Sequence, residues 1–252
     1  MKKKQTAKTP SMDAYHKAVA EVLDRIARSQ RARILKAAEI VTDAIARGGI
    51  LHVFGSGHSH MIVEEMYSRA GGLVPVNPIL EPNLMLHEGA VKSTAMERLS
   101  GYAAVLLASA RTQPHDSLII VSNSGRNAVP IEMALEAKKH GLKPIAVTSV
   151  SHSKSVLARH PSGKRLFEIC DVVIDNCGAV GDASTPVGGR GLTVGPTSTI
   201  ASSFIVNCIA AQVAENLIAR NLEPPVFISG NLDGSDFHNY DLINKYSSRI
   251  RF

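Results

Sequence analysis

Short runs of valine, isoleucine and leucine alternate along this chain with longer stretches whose apolar residues recur every three or four positions. The run at 117–121 precedes such a stretch at 127–140, and a second apolar run follows at 143–149. Strands that are apolar throughout, each followed by an amphipathic helix, are typical of a parallel sheet covered on both faces by helices. The sequence therefore predicts an α/β fold.

The same pattern assigns most of the remaining chain. We expect strands at 50–54, within 72–79, and at 117–121, 143–149 and 170–176. We expect helices at 12–28, 31–47, 58–70, 93–110, 127–140 and 197–220.

Four regions follow from this assignment: a disordered tail at 1–11, N-terminal helices at 12–48, the α/β domain at 49–220, and a polar closing arm at 221–252. The glycine-rich stretch at 178–199 interrupts the alternation of elements. Long loops of this kind are either functional or mobile, and both readings are open here.

Charge and composition narrow the class of ligand. The net charge is +6, and Lys2, Lys3 and Lys4 supply half of it, so the body of the chain is only mildly basic. Aromatic residues make up 4% and tryptophan is absent, which disfavours a surface for nucleic acid. We expect an anionic small ligand, no nucleic acid and no membrane.

The N-terminus and the cysteines indicate the cellular compartment in which we expect the protein. The basic N-terminus has no apolar segment after it, and is therefore not a secretory signal. Cys170, Cys177 and Cys208 form no CxxC pair, and so small and odd a set is typical of a reducing cytosol. The sequence predicts a soluble, cytoplasmic protein.

A polar cluster follows the strand at 117–121. Ser122, Asn123 and Ser124 lead into Gly125, and Asn127 stands at the start of the next helix. Ligands of parallel α/β sheets bind beyond the carboxyl ends of the strands, where helix N-termini and hydroxyl groups can hold an anion. We predict that this cluster binds phosphate. Simple capping by Ser124 or Asn127 is the alternative, although it explains one polar residue better than four.

A second unit of the same design lies earlier in the chain. The strand at 50–54 leads into Gly55, Ser56, Gly57, His58 and Ser59, and then into a helix. It is not a dinucleotide-binding GxGxxG motif, which would need a glycine where His60 stands, and the chain contains no Walker A loop. Two such units in one sheet are far more specific than either alone.

Together, GSGHS and SNSGRNAVPIEMALEAKKHGLKPIAVTS resemble the sugar isomerase (SIS) domain, a phosphosugar-binding fold. Asn127 stands where that family usually has threonine, which keeps a short hydrogen-bonding side chain. The resemblance implies a flavodoxin-like three-layer sandwich with a five-stranded parallel sheet. It also implies homodimers or larger homo-oligomers whose active sites lie between subunits.

Within that family, GSGHSH, EEMYSRAGGL and GPTST resemble the UPF0309-type group. More distantly, VGPTSTIASSFIVNCI resembles the Gly-Ser-Thr opening of a long helix in the N-acetylmuramic acid 6-phosphate etherases. That likeness implies that Thr197 and Ser198 contribute hydroxyl groups to the sugar pocket, with helix capping as the alternative.

Moving a carbon-bound proton requires a carboxylate near the sugar. Glu97 is the first candidate, because a glutamate similarly placed relative to the serine loop is catalytic in the etherases. Glu65 is the second, and an ion pair with Arg69 is its alternative role. His238 in the arm is an exposed loop histidine or, alternatively, an acid that reaches a neighbouring subunit's site.

Neither a cofactor nor a metal is expected, since His60 and Glu64 alone are too few ligands for a metal site. The predicted function is a phosphosugar isomerase that acts by proton transfer. A lyase acting on an amino-sugar phosphate, related to the etherases, is the first alternative, and a non-catalytic phosphosugar-sensing regulatory protein is the second. The helices at 12–47 do not resemble the DNA-binding domain that precedes the SIS domain in transcription regulators.

Overall fold

The computed structural model describes residues 10–188 and 191–252. Its helices are α1 Ser11–Ser29, α2 Arg31–Ala46, α3 His60–Met66, α4 Ala90–Met96, α5 Tyr102–Ser109, α6 Ala128–Lys139, α7 Val150–Lys154, α8 Ser198–Ala219 and α9 Ser235–Tyr246. Its strands are β1 Leu51–Gly55, β2 Val76–Ile79, β3 Ser117–Val121, β4 Lys143–Thr148, β5 Val172–Asp175, β6 Ala183–Val187 and β7 Leu192–Pro196. Residues 1–9 of the expected tail lie outside the described residues, and α1 already begins at Ser11.

The central sheet has five strands in the order β2-β1-β3-β4-β5, and all neighbours are parallel. Val53 of β1 lies opposite Ile119 of β3, which in turn lies opposite Ile145 of β4. These strands are buried on both faces, as their continuous apolar runs predicted. The predicted α/β fold with a five-stranded parallel sheet after N-terminal helices is confirmed.

Helices cover both faces of the sheet and form two apolar clusters. On one face, α1, α2, α3 and α8 pack against side chains that include Val53, Ile119 and Ile145. On the other, α5 and α6 pack against the alternate side chains, which include Phe54 and Ile120. This alternation is the two-residue period of a β-strand, and it yields three layers.

Helix α8 is long and apolar enough, by length and composition, to cross a membrane. Its buried residues recur every three or four positions, at Ala201, Ile205, Ile209 and Val213, and they belong to the apolar cluster shared with α2. A core helix passes the same test of length and composition, and this packing accounts for the apolar residues on the buried face of α8.

Two of the predicted helices have different bounds. The helix expected at 93–110 is two helices, because Gly101 adopts the left-handed conformation (φ +84°) at the start of α5. Its N–H donates to Glu132 Oε2 at 2.7 Å, so the break is fixed by a contact distant in sequence. The helix expected at 58–70 ends at Met66, because Tyr67 is extended and Ser68 has a positive φ.

The glycine-rich stretch is not simply a long loop, because β6 and β7 pair as an antiparallel ribbon. Tyr15 of α1 holds this ribbon against the domain by donating from its hydroxyl to the Pro196 carbonyl at 2.8 Å. Glycine is needed at 195, where φ is +73° and an added Cβ would lie 2.6 Å from the Tyr15 ring.

The closing arm contains α9 and packs at the amino ends of the strands. Phe227, Tyr246 and Ile250 form an apolar cluster with Ile50 and Val74, which precede β1 and β2. Within this chain, the arm therefore lies at the end of the sheet opposite the carboxyl ends of the strands. His238 faces the Val226 carbonyl, with 2.9 Å between Nε2 and the oxygen.

Candidate functional site

A cavity of about 440 Å³ lies at the carboxyl ends of β1 and β3, bounded on its far side by the β6–β7 ribbon and the start of α8. It is lined by His58, Ser59, Ile62, Glu97, Val121, Ser122, Asn123, Ser124, His152, Gly181, Asp182, Ala183, Pro196, Ser198, Thr199 and Ser202. Both serine-rich loops thus meet in one space, as the parallel arrangement of their strands requires.

The first loop follows β1 and is shaped by close backbone packing. A Cβ added to Gly55 would overlap the carbonyl group of Ser59, so no larger residue fits there. The Ser59 N–H donates to the Ser56 carbonyl at 3.0 Å, and this turn presents His58 and Ser59 to the cavity. Ser56 is buried behind them.

The second loop follows β3 and closes on itself. The Gly125 N–H donates to Ser122 Oγ at 3.2 Å, and Gly125 has a φ of +55°. Asn123 is held in place because its Oδ1 accepts a hydrogen bond from Asn176 at 2.9 Å. Ser122, Asn123 and Ser124 therefore face the cavity at the N-terminus of α6, an arrangement suited to an anion.

Glu97, just after α4, lines the cavity between the two loops. Its Oε1 accepts from Ser56 Oγ at 2.7 Å, and its Oε2 accepts from Asn127 Nδ2 at 2.5 Å. The Asn127 Oδ1 in turn accepts from the Arg159 guanidinium at 3.0 Å. Because a carboxylate only accepts and a guanidinium only donates, these two partners determine the orientation of the amide group. Glu97 is held in one position, facing the cavity.

Asn127 occupies the N-cap position of α6 but makes no capping hydrogen bond there. Capping therefore does not account for this residue. Its side chain lies behind the cavity and links Glu97 to Arg159. Burial, followed by the nearby Arg126 and Arg98 guanidiniums, lowers the pKa of Arg159, so Asn127 lies beside a cluster of positive charge.

The start of α8 is capped by a residue that the sequence analysis did not single out. Asp182 Oδ1 accepts from the N–H groups of Thr197 at 3.1 Å and Ser198 at 2.9 Å, and Oδ2 accepts from Ser198 Oγ at 2.5 Å. A carboxylate at a helix N-terminus is favoured by the helix dipole. Thr197 itself is buried, and its hydroxyl has no partner among the residues described.

His152, in α7, also went unrecognised in the sequence. It lines the cavity, and its Nδ1 accepts a hydrogen bond from the Gly181 N–H at 3.2 Å. A backbone N–H can only donate, so the neutral imidazole carries its proton on Nε2. The Nε2–H of His152 is therefore able to donate a hydrogen bond. Only the fold brings it to the same cavity as Glu97, since the residues around it carry no recognisable motif.

Glu65 lies elsewhere, on the outer side of α3 next to α8. It forms an ion pair with Arg69 and accepts from Asn207 Nδ2 at 2.8 Å. His60 Nε2 lies 3.8 Å from Glu64 Oε1. Among residues 10–188 and 191–252, no three histidine, cysteine, aspartate or glutamate side chains are grouped as metal ligands.

The predicted binding residues separate into two sets. His58, Ser59, Ser122, Asn123, Ser124 and Ser198 line the cavity. Ser56, Gly57, Asn127 and Thr197 are not among the lining residues. Two of this second set, Ser56 and Asn127, hold Glu97 in place.

Proteins with a related sequence identify the family to which this chain, with its two serine loops around one cavity, belongs. The SIS domain profile matches residues 14–149. A UPF0309 protein of Halalkalibacterium halodurans is 44% identical over 238 residues, which span 94% of this chain and 98% of that protein. The chain is a SIS domain protein of the UPF0309 family. The predicted resemblance is confirmed over nearly the whole length.

Two solved structures share the SIS fold at low sequence identity. A phosphoheptose isomerase from Francisella tularensis superposes with a TM-score of 0.55 and 18% identity, covering 83% of this chain and all of that one. The Vibrio vulnificus NanR protein, solved with ManNAc-6P, superposes with a TM-score of 0.51 and 15% identity. It covers 85% of this chain and 66% of that one. At such identities these structures establish the fold of this SIS domain.

Proposed function

We propose that this protein binds a phosphorylated sugar in the 440 Å³ cavity and isomerises it by proton transfer through Glu97. The observation that carries the proposal is the position of the Glu97 carboxylate. It faces the cavity between two serine-rich loops and is held by Ser56 and Asn127. A carboxylate held beside a bound sugar has the chemistry needed to take up a carbon-bound proton.

The phosphate group binds at the second loop in this proposal. Ser124 and Ser122 offer hydroxyl groups there, and the loop precedes α6, whose N-terminus is the positive end of the helix dipole. The Asp182 carboxylate already occupies the N-terminus of α8 on the other side of the cavity. The phosphate therefore lies at α6 and the sugar extends towards Asp182 and His152.

The reaction follows from these positions. Glu97 takes the proton from the carbon next to the sugar carbonyl, while the Nε2–H of His152 protonates the carbonyl oxygen, which gives a neutral enediol. The other enediol hydroxyl then returns a proton to His152 Nε2, which the first transfer left as imidazolate, and becomes the new carbonyl group, while Glu97 returns its proton to the former carbonyl carbon. Preorganised donors on both sides of the sugar lower the barrier to each transfer.

Two further activities use the same groups. Elimination of an ether from an amino-sugar phosphate would employ Glu97 as the base and His152 as the acid for the leaving oxygen. A phosphosugar sensor would use the serine loop alone. The Vibrio vulnificus fold neighbour, solved with ManNAc-6P, makes amino-sugar phosphates necessary members of any ligand panel.

The test is a panel of hexose, heptose and amino-sugar phosphates. Binding is measured by calorimetry and turnover by NMR, with the wild type, Ser122→Ala/Ser124→Ala and the control Glu223→Gln, which changes an exposed glutamate remote from the cavity. We expect one phosphosugar to bind and be isomerised, and the serine variant to lose about a hundredfold in affinity. Cleavage of an ether would identify a lyase, and binding without turnover a sensor. Unchanged affinity of the serine variant would reject the site.

The protein is also proposed to be a cytosolic homodimer or larger homo-oligomer. A groove between α2 and α8, lined by residues that include Ile34, Leu35, Phe204 and Cys208, leaves apolar surface uncovered in one chain. Cys170, Cys177 and Cys208 form no disulfide, which accords with a reducing compartment. Light scattering that showed a stable, active monomer would contradict the assembly.

A further inference from the structure

A second cavity, of about 610 Å³, lies along the outer edge of β2, away from the two serine loops. It is enclosed by β2, the C-terminal end of α5 and the segment 247–251 after α9. Its lining residues are Asn77, Pro78, Ile79, Leu80, Glu81, Leu106, Ser109, Ala110, Arg111, Ser247, Ser248, Arg249, Ile250 and Arg251. No residue is shared with the lining of the candidate active site.

Positive charge predominates in this second cavity. Arg111, Arg249 and Arg251 line it, and Glu81 is the one carboxylate in its lining. The Glu81 carboxylate is engaged by Asn83, whose backbone N–H and side-chain amide donate to Oε1 at 3.2 and 2.7 Å. The lining therefore has an excess of guanidinium groups.

Two of these guanidinium groups are available to a ligand. Arg249 is engaged, because it donates to Asp116 Oδ2 at 2.6 Å and to Gln113 Oε1 at 2.9 Å. Arg111 and Arg251 have no ion pair or side-chain hydrogen bond within residues 10–188 and 191–252. Arg111 also has a positive φ of 52° directly after α5, where glycine or asparagine is usual.

A hydrogen-bonded network centred on the buried His52 and Asp116 supports the wall of the cavity. Asn77, in the lining, donates to His52 Nδ1 at 3.0 Å, and His52 Nε2 lies 3.0 Å from Asp116 Oδ2. Asp116 in turn pairs with Arg249 across the cavity wall. His52 and Asp116 have no exposed side-chain surface. This network holds Asn77 and Arg249 in place and so fixes one wall of the cavity.

The shape and chemistry of the cavity favour a small organic anion. Pro78 has no N–H, so the edge of β2 cannot form a continuous ladder with an added peptide strand. The volume falls within the range of small-molecule sites, about 300–1,000 Å³. Ile79, Leu80 and Leu106 offer apolar contact to a carbon skeleton.

We propose that this cavity is a second binding site and that its ligand is an organic phosphate. Guanidinium groups bind phosphate oxygens in a bidentate manner, and Arg111 and Arg251 lie free to do so. Ser109 and Ser248 supply hydroxyl groups for the remaining oxygens. The site does not depend on the function proposed for the first cavity, since the two have separate residues.

The test uses the full chain and pyrophosphate as the first probe, followed by glucose 6-phosphate and AMP to separate a sugar phosphate from a nucleotide. Calorimetry and hydrogen exchange are measured on the wild type and on Arg111→Gln/Arg251→Gln. The control is Arg28→Gln/Arg47→Gln, which removes the same charge from exposed positions on α1 and at the end of α2. Ser122→Ala/Ser124→Ala removes the donors of the first cavity instead.

We expect pyrophosphate to slow hydrogen exchange in the segments 109–111 and 247–251 of the wild type, the control and the serine variant. Arg111→Gln/Arg251→Gln should lose this protection and at least tenfold in affinity for that binding event. The proposal is overturned if the wild type shows no protection there. It is also overturned if the control loses as much as the cavity variant, since binding would then reflect net charge alone. If the Ser122→Ala/Ser124→Ala variant no longer binds a phosphosugar in the first cavity, the protection expected at 109–111 and 247–251 is unchanged, because the two cavities share no lining residue.

Discussion

Asn127 donates a hydrogen bond from Nδ2 to Glu97 Oε2 at 2.5 Å and accepts one on Oδ1 from Arg159 at 3.0 Å. The residue that stands where the SIS family usually has threonine thus connects a carboxylate in the cavity to a guanidinium outside it. The shorter threonine side chain offers one hydroxyl and cannot bridge both groups. The departure from the family pattern is therefore a way of holding Glu97.

Replacing Glu97 by glutamine keeps the size of the side chain but removes its capacity to take up a proton. We expect turnover of the phosphosugar to fall by about a hundredfold or more, with its affinity nearly unchanged. Turnover by NMR, affinity by calorimetry and the melting temperature are measured together, with Glu223→Gln as the matched control. A variant that melts lower but reacts normally would show that Glu97 is structural.

The Asn127→Thr variant restores the usual family residue and breaks the bridge to Arg159. We expect the phosphate affinity to stay within about threefold, because the Ser122–Ser124 loop is intact, while turnover falls by roughly tenfold or more as Glu97 loses a fixed partner. Asn127→Gln, which keeps the amide on a longer stem, is the companion variant. If affinity falls and turnover per bound substrate does not, Asn127 binds the phosphate directly.

Asp182→Asn removes the charge that caps α8 while keeping a side chain that tolerates the positive φ at this position. The loss of the charge–dipole interaction should lower the free energy of unfolding by about 0.3–1 kcal/mol. Phosphosugar affinity should rise severalfold, because a negative charge leaves the cavity wall. Urea unfolding and calorimetry test the two effects, with Asp233→Asn, at an exposed loop position, as the control. A fall in affinity would mean that Asp182 contacts the ligand as an acceptor.

Asp116 should make stability depend on acid pH. Burial by itself raises its pKa, but hydrogen bonds from His52 and from the Ile50 and Gln113 N–H groups outweigh this, and the native pKa lies below the ordinary value. The unfolded chain therefore binds more protons at this carboxyl group. Its contribution is fully present above the unfolded pKa of about 3.9 and is lost as the pH falls through the lowered native pKa.

Asp116→Asn tests this dependence. The variant should lose about 3–5 kcal/mol near neutral pH, because Arg249 and His52 lose the buried carboxylate between them. The loss relative to wild type should shrink as the pH falls below about 4. Urea unfolding midpoints of the variant, the wild type and the control Glu223→Gln, measured across this pH range, test whether the loss depends on pH. A loss that is constant with pH would contradict the assigned shift.

The sequence by itself determined the five strands of the parallel sheet, most helices and both serine loops. Each of these assignments depends on a local feature of the sequence. The strand at 117–121 shows as a continuous apolar run, and its residues are buried throughout. Gly55 and Gly125 mark turns at backbone positions that a larger residue would not fit. Because strands in a parallel sheet end at one edge, the meeting of the two loops also followed from the sequence. The SIS resemblance supplied Glu97 as a candidate.

Only the tertiary structure decided which side chains hold and face the cavity. Glu97 and Asn127 are 30 residues apart, and Asp182 meets Ser198 through a ribbon that the glycine-rich composition concealed. His152 lines the same cavity as Glu97 because β4, which directly precedes α7, pairs with β3, and the arm lies at the opposite end of the sheet because Tyr246 and Ile250 pack on Ile50. Such contacts join segments that are distant in sequence, and the local sequence of one segment does not specify which other segment it will meet. They are selected by the packing of the whole core, and so periodicity and motif could not predict them.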